Sequence, residues 1–104
     1  ALEKQNVELH QLVANATEAE IFLKLLANKN RLMILCSLID KESSVSELNS
    51  LIPLGQSALS QHLASLRKHK LVSTRREAQS IYYSVQDEKV KAVIGTLYSC
   101  FCAE

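Results

Sequence analysis

Only three residues of this 104-residue chain, Pro53, Gly55 and Gly95, are of the two types that most readily break or turn a backbone. A chain so poor in turn formers has few ways to reverse direction often, so most of it must be helix. The apolar spacing agrees. Val7, Leu9, Leu12, Val13 and Ala16 make a loose helical stripe over residues 6–16. Thr17, with Glu20 three residues on, has the spacing of a capping box and predicts a second helix carrying Ile21, Phe22, Leu25 and Leu26. Asn28 and Asn30 interrupt that pattern, and a third helix is expected over residues 31–39. It is nearly all apolar, so it should be buried. Ser44 and Glu47 repeat the capping-box spacing and open a short helix, VSELNSLI.

Pro53, Leu54 and Gly55 then predict a tight connection into a fifth helix over residues 56–69. Ala58, Leu59, Leu63 and Leu66 supply its apolar stripe, and Gln56, Ser57, Ser60, Gln61, Ser65 and Lys68 its polar face. After this helix the period switches from helical to alternating. LVSTR and IYYSV read as two strands joined through Glu77, Ala78 and Gln79, a link without the glycine that tight hairpins favour. Asp87 is placed to cap a last helix, on which Val90, Val93, Ile94, Leu97, Tyr98 and Phe101 recur at spacings of three and four. The expectation is one mainly α domain over residues 1–104, with five to six helices and a two-stranded β-hairpin.

Hydrophobic residues make up 47% of the chain, enough for a packed core. No apolar run approaches the roughly 18 to 20 residues that cross a bilayer. The opening ALEKQNVELH has neither the basic start nor the apolar stretch of a signal peptide, so a cytoplasmic location without membrane contact is expected. The net charge of +1 is uninformative, but its distribution is not. Between Glu47 and Glu77 no acidic residue occurs, while the window holds His62, Arg67, Lys68, His69, Lys70, Arg75 and Arg76. The first and last stretches carry Glu3, Glu8, Glu18, Glu20, Asp87 and Glu88. Such a separation gives a nearly neutral protein one positive face.

Two short helices joined by a tight turn and followed by a hairpin is the element order of a winged helix-turn-helix. The second helix of such a pair fits the major groove of double-stranded DNA. Its outward amides and hydroxyls suit that role: Gln56 and Gln61 can pair with adenine, Ser57 and Ser60 can serve any base, and His62 lies beside them. Arg67 and Lys68 would meet phosphates, and Arg75 and Arg76 near the hairpin would reach the backbone or the minor groove. The chain has no Gly-rich phosphate loop, no GxSxG and no paired carboxylates in a plausible pocket, so neither catalysis nor a cofactor is expected.

The stretch QSALSQHLASLRKHKLVSTRREAQSIYYSV resembles the recognition helix and wing of the ArsR family of bacterial repressors, and LLANKNRLMILCSL resembles the helix that precedes them. The likeness runs over about residues 18–102. It implies a homodimer, formed through the first and last helices, that binds a DNA operator. Two apolar stripes at the ends of so small a chain fit such an interface. Many members sense metals. Ser44, Val45 and Ser46 stand where one type of metal site has cysteines, and Lys89 stands where another has a histidine. An ammonium has no lone pair to give a metal, so neither site is expected to work here.

There remain Cys36, Cys100 and Cys102. Taken alone, Cys36 in the middle of an apolar helix reads as a small core residue. Cys100 and Cys102, two residues apart, point to different faces of a helix. The resemblance adds a second reading. It is nearest to the dithiol, reactive-sulfur-sensing branch of the family, which has one cysteine in the helix before the DNA-reading pair and one near the C-terminus. Cys36 matches the first and Cys102 the second. The likeness implies that a persulfide or an oxidant links these thiols, directly or through added sulfur, and weakens operator binding. Cys100 departs from the pattern and offers a competing partner.

Overall fold

The computed structural model describes residues 8–102; Glu3 and Val7, read above as part of the acidic N-terminal stretch and the first stripe, lie outside them. α1 (Leu9–Leu26) is one helix of 18 residues, not two. The capping box expected at Thr17 does not form. The Thr17 hydroxyl donates backward to the Val13 carbonyl at 2.9 Å, a local bond that lets a threonine sit inside a helix. α2 (Lys29–Asp40) begins two residues earlier than expected, because Asn28 is its cap. The Asn28 Oδ1 accepts from the Arg31 amide at 3.0 Å, so the residue that broke the apolar pattern starts the next helix.

β1 (Ser43–Ser44) leads into α3 (Val45–Leu51). Both halves of the Ser44–Glu47 capping box are made: the Glu47 amide donates to Ser44 Oγ at 3.2 Å, and the Ser44 amide donates to Glu47 Oε1 at 2.9 Å. Ser44→Ala should therefore lower unfolding free energy by about 1 kcal/mol, read as an earlier urea midpoint with unchanged slope. An unshifted midpoint would mean that α3 is held by packing alone. Asn49 Nδ2 donates to the Leu54 carbonyl at 2.6 Å and fixes the turn between α3 and α4 (Gln56–Lys68).

α4 ends without a glycine. Lys70 takes a positive φ of 66°. The Lys70 amide reaches the Arg67 carbonyl at 3.0 Å and the Leu71 amide the Leu66 carbonyl at 2.9 Å. This is a Schellman ending, with a lysine in the left-handed position that usually takes glycine. The hairpin of β2 (Ser73–Glu77) and β3 (Ser80–Ser84) uses the same device. Ala78, the first of its two turn residues, has φ 58° where a tight hairpin turn favours glycine. The chain thus turns more often than its glycine count suggests, by accepting strained residues at two exposed corners.

The wing is larger than the expected two strands. β1 pairs antiparallel with β3, Ser43 facing Tyr83 and Ser44 facing Tyr82, giving a three-stranded sheet of order β1-β3-β2. A two-residue strand is too short to leave an alternating pattern in the sequence. Asp87 caps α5 (Glu88–Phe101) as expected, its Oδ1 accepting from the Lys89 and Val90 amides at 2.7 and 3.3 Å. Burial alone would raise the Asp87 carboxyl, but these bonds and the Lys89 ammonium outweigh it and hold the group below its ordinary range. Five α-helices are thus present among the described residues, and none is long and apolar enough to cross a membrane.

The core lies where α2, α4 and α5 meet. Ile34 and Leu35 of α2, Leu59, Leu63 and Leu66 of α4, and Val90 and Ile94 of α5 are buried together, with Leu48 of α3. That packing locks the inner face of α4 and leaves its opposite face to solvent. The ends of the chain are different. Leu9 and Val13 of α1 and Tyr98 and Phe101 of α5 are exposed, Phe101 by 82%. The radius of gyration of 15.8 Å exceeds the roughly 13 Å of a compact chain of about 100 residues.

Candidate DNA interface and thiol cleft

α4 separates its residues cleanly. At about 100° per residue, Gln56, Ser57, Ser60, Gln61, Arg67 and Lys68 fall on one side, and all six are exposed. Ala64 lies in the middle of that face and is exposed too. A lone alanine carries no signal in a sequence. Arg67 and Lys68 occupy the last turn of the helix, where cations also meet its negative end.

His62 is not part of this face, which corrects the sequence expectation. It is half-buried on the packed side, and its Nδ1 lies 3.4 Å from Arg31 Nη1. The period explains this: around the helix residue 62 falls between Ala58 and Leu66, about 40° from Leu66 and about 100° from Gln61. Arg31, the expected first residue of the third helix, carries no sequence signal of a further role. Its Nε donates to the Leu25 carbonyl at 2.6 Å, so one side chain ties the α1–α2 corner and touches α4.

The two wing arginines part company. Arg76 is exposed, with no ion pair among the described residues. Arg75 is engaged. Its Nε and Nη2 donate to the two carboxylate oxygens of Glu42 at 3.0 and 2.8 Å, and its Nη1 donates to Glu77 Oε1 at 2.7 Å. The hydrogen bonds from Arg75 hold the Glu42 carboxyl below its usual range. Arg75, inside the sequence window free of acids, is thus paired in space with Glu77 at the end of that window and with Glu42 from outside it.

The thiols are sorted as sharply. Cys36 and Cys102 line one cleft of about 510 Å³ between α2 and the end of α5, walled by Leu32, Met33, Leu97 and Phe101, with Lys29 among its lining residues. Cys100 is exposed and outside that cleft. Cys102 is the C-cap residue of α5, and its amide donates to the Tyr98 carbonyl at 2.8 Å, so the helical path holds up to the cysteine. Burial pushes the Cys36 thiol up, and the negative charge of Cys102 and Asp40 adds to the rise. Cys36 is thus the sheltered thiol of the two and Cys102 the accessible one.

A buttressed polar helix beside a three-stranded wing defines a winged helix-turn-helix, a class of DNA-binding transcriptional regulators. Within it, this chain belongs to the arsR family of bacterial regulatory proteins, whose family model matches residues 28–74. It is 48% identical to the transcriptional activator HlyU of Vibrio cholerae, over 92% of this chain and 89% of that protein. It is 42% identical to the biofilm growth-associated repressor of Agrobacterium fabrum, over 93% of this chain and 83% of that one. A solved structure of reduced HlyU from Vibrio cholerae superposes with a TM-score of 0.86 at 48% identity, covering 91% of this chain and all of that one. The relatives are regulators and none is named an enzyme. One is named an activator and the other a repressor, so kinship leaves the sign of regulation open.

Proposed function

We propose that this regulator is a homodimeric, cytoplasmic repressor whose affinity for a double-stranded DNA operator is switched by reactive sulfur at Cys36 and Cys102. The observation that carries this reading is the shared cleft: the two thiols face one cavity between α2 and α5, and the third thiol does not. A solved relative, HlyU of Vibrio cholerae, is named in its reduced form. Gln56, Ser57, Ser60 and Gln61 read bases, Arg67 and Lys68 bind phosphates, and Arg76 reaches the backbone from the wing.

The chemistry follows from exposure. The Cys102 thiolate attacks the outer sulfur of a persulfide R–S–SH, taking that sulfur and releasing the thiolate of R–SH. The Cys36 thiolate then attacks the Cys102 sulfur, forms a disulfide and expels hydrosulfide. If a further persulfide adds sulfur first, the bridge is longer. Either bridge ties α2 to the end of α5. A shift of one or two ångströms there is enough to misplace two recognition helices that must match half-sites about 34 to 36 Å apart.

A gel shift before and after a persulfide donor tests the reading: the reduced protein should bind and the treated protein should release. Unchanged binding with modified thiols would leave a constitutive regulator with structural cysteines. Gln61→Ala, run beside it, should cost roughly 1 to 3 kcal/mol on the operator and little on random DNA. If that variant discriminates as the wild type does, Gln61 is not a base reader.

A further inference from the structure

Arg75 lies on the outer face of the wing, in one rung of the sheet with Tyr82 and Ser44. Its guanidinium reaches from β2 across the Tyr82 ring of β3, 4.9 Å from the ring centre, to Glu42, which directly precedes β1. Ser44, two residues beyond Glu42, is the cap of α3. One side chain therefore links the outermost strand of the wing to the residues that start the helix-turn-helix. The link is a side-on fork to both oxygens of one carboxylate, with a second carboxylate on the remaining nitrogen and an aromatic ring beneath. These are the features that lift an exposed ion pair above the usual negligible value. Two carboxylates on one guanidinium also leave this spot net negative, a poor place for a phosphate to land.

We propose that Arg75 is a positioning residue and not a DNA contact: clamped to Glu42, it sets the angle of the wing so that Arg76 on the opposite face of β2 meets the phosphate backbone. The proposal rests on the reading that the wing touches DNA. It requires that Glu42, an acidic residue, strengthen the binding of a polyanion. That is the reverse of what charge alone dictates.

Glu42→Ala, Arg76→Ala and their double variant would be titrated across a salt series. The probe is a fluorescent duplex selected by the wild-type protein from a random-sequence pool. Arg76→Ala should make the slope of log affinity against log salt shallower by about 0.9, the value of one phosphate contact. Glu42→Ala should weaken binding by about 2- to 5-fold, the range open to a well-formed exposed pair, and make the slope shallower toward that of Arg76→Ala. In the Glu42→Ala background, removing Arg76 should then have little further effect. A variant that was merely less stable would lose active protein without changing the slope. If Glu42→Ala binds as tightly as wild type or more tightly, with an equal or steeper slope, Arg75 was being withheld from DNA and the brace is refuted. If Arg76→Ala also leaves the slope unchanged, the wing does not reach phosphate, and the wing reading falls with the brace.

Discussion

Cys36→Ser and Cys102→Ser should each bind operator DNA when reduced and fail to respond to a persulfide donor, while Cys100→Ser responds as the wild type does. The argument is geometric first. Cys36 and Cys102 open onto the same cleft from two helices, whereas Cys100 sits away from it on the outer side of α5. A direct disulfide needs Cα atoms roughly 4.4 to 6.8 Å apart, and inserted sulfur relaxes that requirement. A cleft of about 510 Å³ has room for extra sulfur atoms. The two variants should fail differently. With Cys36 absent, Cys102 still takes sulfur and stays a persulfide. With Cys102 absent, the sheltered Cys36, its thiol raised by burial, should remain largely unmodified. Raising the pH should speed bridge closure in the wild type, because more Cys36 becomes thiolate. Mass spectrometry of peptides separates these products. A Cys36–Cys100 bridge, or a normal response from Cys102→Ser, would overturn the assignment. Three unmodified thiols with unchanged DNA binding would sink sulfur sensing and leave the DNA-binding regulator standing.

How far the sequence revealed this protein depended on whether the controlling interaction was local. Ser44 with Glu47, Asp87 before α5 and the stripe of α4 are set within a few residues, and they are legible. Thr17 with Glu20 has the same spacing as Ser44 with Glu47 and makes no cap. The difference is that α1 already continues through Thr17, so its hydroxyl has a carbonyl to use behind it. His62 is half-buried for a related reason: Ser60 and Gln61 before it are polar, but its angle around the helix sets it at the edge of the leucine side. The Arg75 clamp was invisible because Glu42 lies 33 residues away and meets it only once β1 joins the sheet. For the thiols, sequence position paired Cys36 with Cys102 only by resemblance. The fold places both residues on the lining of one cleft, a proximity that their separation in the chain does not announce.

Val13→Glu in α1 and Phe101→Glu in α5 should each convert a dimer to a monomer and lower operator affinity by about 100-fold or more at nanomolar protein. Both side chains are exposed in the protomer, by 56% and 82%, so neither change should disturb its core. Fully burying an apolar side chain of this size contributes about 1.5 to 3 kcal/mol. A two-fold interface counts each position twice, and a buried carboxylate adds a desolvation cost. The effect on DNA follows from linkage between half-sites. Joining two recognition helices makes the second contact intramolecular, an advantage of about 100- to 10,000-fold that a monomer forgoes. Val13 is the cleaner probe, since Phe101 also walls the thiol cleft and Val13 does not. Sedimentation of both variants, with thermal melts to confirm a folded protomer, would be set beside operator titrations. A wild-type monomer that binds a palindromic site tightly would refute the dimer. A monomeric Val13→Glu that kept full affinity would show that each winged helix reads its half-site alone. The switch would then have to act within one protomer, with the bridge moving α4 directly through the α2–α5 packing.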